Sequence, residues 1–176
     1  MKTTLLRALV LGATVYAVPA MAQDSDTFTV KSQVAPFCSE LSISSTPINL
    51  GSLTGATGQV VSDFSGTDER ELAASFYCNA PSKVTITADP LRHDTVTFVS
   101  DSASFTNRVD YTATLVWDDV TGNVTSTAAS GQEISAPEAN IGQMKLTLSN
   151  PTVANNLRPV AGSYNGQVRL TVSLAQ

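Results

Sequence analysis

Triad catalysis needs an imidazole, and the chain holds a single one, His93. It stands in Arg92-His93-Asp94 after Pro90, a setting expected to be an exposed loop, and no Gly-x-Ser-x-Gly elbow accompanies it. Carboxylates gather at Asp68, Glu69 and Glu71 and again at Asp118-Asp119. Both groups border strands and turn residues, so they read as solvated charges rather than as a facing acid/base pair. Asp24-Ser25-Asp26 alternates oxygens as a calcium loop does, but lacks the Gly and the terminal Glu of that motif. Zinc sites take three or four His or Cys ligands, and one histidine with two cysteines falls short of most of them. Asn123-Val124-Thr125 is a glycosylation sequon whose use depends on the host. Trp117, Tyr111, Phe76 and Tyr77 are candidates to line a ligand groove. Trp117 and Tyr111, however, share parity with Ala113 and Leu115, which favours core packing. The expectation is a protein that is not an enzyme and needs no metal or cofactor.

The elements that carry these residues are β-strands. Of 176 residues 42% are hydrophobic and only 14% charged, against about a quarter charged in an average soluble domain. The difference is made up by 22 Thr and 20 Ser; Thr suits a pleated, half-buried surface. The length suits one domain with a real core. A formal net charge of −5 leaves no basic footprint for nucleic acid or anionic lipid.

Residues 1–22 have the build of a signal peptide: Lys2 and Arg7, an apolar run from Ala8 to Val18, and Ala20-Met21-Ala22 before Gln23. That run is about half of what spans a bilayer, so no membrane span is expected. Export leads to an oxidising compartment, where Cys38 and Cys78 are most simply a disulfide. Two free thiols or an intermolecular bond are the alternatives.

Period-2 alternation recurs along the rest of the chain. Phe28, Val30, Ser32 and Val34 share one face, and the parity continues to Pro36 and Cys38. Leu72, Ala74, Phe76 and Cys78 form a second set, and Val84, Ile86 and Ala88 a third. The residues Val109, Tyr111, Ala113, Leu115 and Trp117 give the longest alternation in the middle of the chain; Met144, Leu146 and Leu148 follow. Val168, Leu170, Val172 and Leu174 close the series. Turns are expected at 51–58, Asn79-Ala80-Pro81, Thr121-Gly122-Asn123 and Asn150-Pro151, with a long loop holding a weak strand from Thr125 to Gln143. These spacings predict one all-β sandwich of about seven strands.

The order of the motifs resembles a known family. Thr27-Phe28-Thr29-Val30-Lys31-Ser32-Gln33-Val34 precedes Cys38, and Pro47-Ile48-Asn49-Leu50-Gly51 follows. The second cysteine sits in Ala74-Ser75-Phe76-Tyr77-Cys78-Asn79-Ala80-Pro81, and Ala161-Gly162-Ser163-Tyr164 leads into the last strand. This is similar to the spore coat U domain family, the pilin subunits of archaic chaperone–usher pili. The resemblance implies an immunoglobulin-like sandwich at 37–176 that lacks one strand. It also implies an N-terminal donor segment at 23–36 that fills the groove of a neighbouring subunit by strand addition. Phe28, Val30, Ser32 and Val34 then occupy the donor register, and Val168, Leu170, Val172 and Leu174 face the groove or a chaperone. The implied partners are other pilin copies, a periplasmic chaperone and an outer-membrane usher. The implied place is a cell-surface pilus serving attachment or biofilm formation. The chain departs from the family at Leu50, where Phe is usual, at the polar Ser32, and in its non-aromatic ending Leu174-Ala175-Gln176. The alternative reading is a secreted or periplasmic sandwich that binds carbohydrate or a surface partner through its loops.

Overall fold

The computed structural model describes residues 26–41, 46–66 and 68–175, and the expected signal peptide at 1–22 lies outside them. The chain divides into two units, Met1–Val34 and Ala35–Gln176. Within the first, residues 26–34 carry no strand, and Phe28, Val30 and Val34 are 85%, 91% and 80% exposed. The expected first strand is therefore absent from the described residues, and only Cys38 of that stretch makes a bridge, to Cys78. Alternation defines the faces of a strand, but a strand exists only where another edge takes up its hydrogen bonds.

The second unit is all β. Its strands are β1 (Glu69–Cys78), β2 (Ser82–Ala88), β3 (Leu91–His93), β4 (Phe105–Thr106), β5 (Arg108–Trp117) and β6 (Val120–Thr125). They continue with β7 (Gln132–Ala136), β8 (Asn140–Thr152), β9 (Arg158–Pro159), β10 (Tyr164–Asn165) and β11 (Val168–Leu174), with a 3-10 turn at Ala154–Asn156. One sheet runs β1-β8-β5-β3-β10, with β6 also paired to β5; a second runs β11-β2-β7. All these pairings are antiparallel. The short β4 and β9 pair in parallel.

The two sheets form a sandwich-like fold because their inward faces are apolar at every second residue. On β5 the buried positions are Val109, Tyr111, Ala113, Leu115 and Trp117; on β2 they are Ser82, Val84, Ile86 and Ala88. Met144, Leu146 and Leu148 enter from β8, and Ile134 and Ala136 from β7. The Trp117 and Phe76 rings meet edge to face with centroids 5.4 Å apart, and Trp117 Nε1 donates to the Phe76 carbonyl at 3.3 Å. The indole is thus buried without an orphaned donor.

Several local expectations give way to pairing. Thr121-Gly122-Asn123 lies inside β6 and not in a turn, and the β5–β6 turn falls at Asp118-Asp119, with Asp118 at φ 51°. A glycine suits β6 because a Cβ at position 122 would stand 2.4 Å from Ile134 Cγ1. Asn150-Pro151 lies within β8 at a register shift, where two steps on β5 oppose three on β8; Asn150 has φ 51°. A bulge accepts both the left-handed Asn and the missing donor of Pro. Bulges between Glu71 and Phe76 also turn Ala74 outward, although Leu72, Phe76 and Cys78 remain buried. The stretch from 125 to 143, expected as a long loop holding a weak strand, holds the strand β7 and also the start of β8.

Candidate functional site

The second unit is open along one side of its core. A cavity of about 1020 Å³ has Leu72, Leu91, Tyr111, Leu146 and Leu148 at its base. One wall is the segment 47–54, and the other is 159–166 with Val168 and Leu170 of β11. A smaller cavity of about 370 Å³ continues along the same strand, lined by Leu170, Val172 and Leu174 together with Cys38, Ser39 and Leu41. All four apolar side chains of β11 therefore border open space, and each is only half-buried. One edge of β11 pairs with β2 over its whole length, from Val168 opposite Ala88 to Leu174 opposite Ser82. Among the described residues no strand pairs with its other edge. An edge of this kind presents a row of peptide groups to any extended chain that enters beside it.

The walls are held by specific polar contacts. The Arg70 guanidinium donates from Nη2 to the Pro47 carbonyl at 3.2 Å and from Nη1 to the Thr46 carbonyl, which fixes the start of the 47–54 wall. The Tyr164 hydroxyl donates to the Val160 carbonyl at 2.9 Å and is 3.2 Å from the Thr106 carbonyl. Burial pushes its phenol pKa above the ordinary 10.0, and the contact with the Val160 carbonyl opposes that rise. At the base, Tyr111 is pushed up to about 12, first by burial and second by the nearby Asp89 charge.

His93 is the residue that the sequence misplaces. It ends β3, where it is half-buried, instead of lying in an exposed loop. Its Nδ1 accepts from the backbone N–H groups of Thr95 at 3.1 Å and Val96 at 3.0 Å. Its Nε2 lies 3.0 Å from the Ala161 carbonyl, so the proton belongs on Nε2 and is donated there. The ring also stands edge-on to Tyr164, with centroids 5.2 Å apart. Gly162 has φ +148°, and a Cβ there would fall 2.1 Å from Nε2. Only glycine lets the backbone lie this close to the imidazole.

The remaining candidates are dispersed. Glu69 pairs with Lys145 at 3.0 Å, Glu71 accepts from Gln143 Nε2 at 2.7 Å, and Asp118 and Asp119 sit exposed in the β5–β6 turn. Asn123 is exposed on β6; Asp24 and Ser25 lie outside the described residues. Among the described residues no three His, Cys, Asp or Glu side chains cluster as a metal site would require. Trp117, Tyr111 and Phe76 are core residues, and of these Tyr111 also borders the groove; Tyr77 is exposed on the opposite face. Cys38 and Cys78 form a disulfide with S–S 2.06 Å. No helix among the described residues is long and apolar enough to cross a membrane.

Sequence reasoning passed over the two walls. Pro47-Ile48-Asn49-Leu50-Gly51 and Ala161-Gly162-Ser163-Tyr164 carry the family resemblance, yet neither shows a periodicity that marks it as lining a groove. Compared with known family models, curated proteins and solved structures, the chain matches none.

Proposed function

We propose that this protein is a structural fibre subunit, assembled when the segment 26–34 of one copy enters the groove of another as an added strand. The observation that carries this reading is the edge of β11 that no strand among the described residues pairs with, beside a cavity whose base is made of core side chains. The lengths also match. β11 has seven residues, and Phe28 to Val34 is a stretch of equal length; at a rise of about 3.3 Å per residue each covers about 20 Å. Phe28, Val30 and Val34 then face the open side of the core and Ser32 makes the weakest contact, while Thr27, Thr29, Lys31 and Gln33 face out. Each apolar side chain buried in this way contributes about 1.5–3 kcal/mol before ordering costs. In this reading the sandwich is immunoglobulin-like with one strand supplied in trans. A periplasmic chaperone occupies the groove before assembly, and an outer-membrane usher directs the exchange. The residues named here are also those that carry the resemblance to the archaic pilins.

The test is an unheated denaturing gel of surface material, which should show a ladder that collapses on boiling. Val30→Asp puts an unpaired carboxylate into an apolar site at a cost of several kcal/mol and should remove the ladder. Thr29→Asp, on the outward face, should leave it. Wild-type polymer from a chain lacking 24–34 would exclude assembly through this segment.

A further inference from the structure

We propose that His93 is a positioning residue that latches the 159–164 wall of the groove in its uncharged form and releases it when protonated. The inference rests on the assembly reading only for its consequence; the latch itself stands on contacts within the second unit. Nδ1 faces two backbone donors, the N–H groups of Thr95 and Val96, and Nε2–H is spent on the Ala161 carbonyl. Adding a proton to Nδ1 turns an acceptor into a third donor among donors. Rotating the ring gives no relief, since both nitrogens of imidazolium donate and Gly162 is pressed against the ring. The hydrogen bonds of the ring itself all go to backbone groups and none to a carboxylate. On its own strand lies Arg92, and just beyond it Asp94, whose carboxylate accepts from Asn165 Nδ2 at 2.5 Å. From β10 the titratable neighbour is Tyr164, which presents its ring to the imidazole. On β5, Arg108 lies opposite Arg92 and is paired with Asp110 at 2.7 Å.

The sign follows from proton linkage. The latched ring takes no proton at Nδ1, whereas a released ring does, so the released state gains as pH falls. Histidine is the side chain whose ordinary titration lies between about pH 5 and 8. The latch is therefore favoured as pH rises and weakened as pH falls. Because Ala161, Gly162 and Tyr164 border the groove, opening it loosens one wall and speeds entry of a strand.

Amide hydrogen exchange of the full chain by NMR, at about pH 8 and about pH 5, tests the latch without reference to assembly. Protection of the Thr95 and Val96 amides, corrected for the intrinsic rate, should fall about tenfold or more on acidification, while Val84 and Ile86 in β2 stay protected. In His93→Asn the side-chain oxygen replaces Nδ1 as acceptor and does not titrate, so protection should be high and flat with pH. His93→Phe removes the acceptor, and protection should be low at both values. Unchanged protection in the wild type, or the same acid loss in His93→Asn, would overturn the latch. A synthetic peptide with the sequence of residues 26–34 then tests the consequence. Capture by the full chain should be faster at the lower pH, and equally fast at both in His93→Asn. Capture independent of pH despite an opening latch overturns the coupling to the groove. No capture at either pH, with the exchange pattern intact, counts against strand addition and leaves the latch standing.

Discussion

The Tyr111 hydroxyl donates to the Gln167 carbonyl at 3.3 Å, joining the middle of β5, at the base of the groove, to the residue that precedes β11. The bond spans 56 positions of sequence and ties one sheet to the free-edged strand of the other. Tyr111 is pushed from 10.0 to about 12 in the fold, so between these values the unfolded chain gives up a proton that the native one keeps. The stability held by the neutral phenol is complete below 10.0 and is lost as pH rises through about 12. Denaturant melts across this range should show a steep alkaline loss that Tyr111→Phe reduces. At neutral pH the same variant should cost about 0.5–1.5 kcal/mol, the net worth of one hydrogen bond.

The Cys38–Cys78 disulfide closes a separation of 40 residues and pins the start of the second unit to the end of β1. The backbone of Ser39 donates to the Tyr77 carbonyl at 2.8 Å, and Asn79 receives Phe37 N–H on its side-chain oxygen at 2.6 Å. Thiol labelling of denatured, unreduced protein should find no free cysteine. Reduction should lower stability by about 2–5 kcal/mol in equilibrium melts.

Trp117 is fully buried and satisfies its one donor at Phe76. Trp117→Ala should cost about 3–5 kcal/mol, read as a lower denaturant midpoint. A rise in the slope of the transition is not expected, since the native fold should survive the cavity.

The described residues offer no cluster of metal ligands, and the core is made of apolar side chains from both sheets. Excess chelator should therefore leave the melting temperature of the oxidised protein unchanged. A drop of several degrees would reveal a bound ion that supports the fold.

Much of the sandwich is written locally. The inward sets on β2, β5 and β11 follow from alternation alone, as does the burial of Cys78 and the outward Tyr77, because the side-chain period of a strand is a property of two adjacent residues. What alternation does not contain is the identity of a partner. Phe28 to Val34 and Val168 to Leu174 carry the same pattern, yet only the second is a strand among the described residues. Bulges at Ala74 and at Asn150-Pro151 arise from the register of β1 and β5 on β8, which neither segment encodes by itself. His93 shows the same division most clearly. Its loop partners Thr95 and Val96 are within reach of local reasoning, but its proton goes to Ala161, 68 positions away. That contact exists only because β3 and β10 pair and bring Gly162 against the ring. Faces come from the chain; edges, registers and the groove between them come from non-local hydrogen bonds.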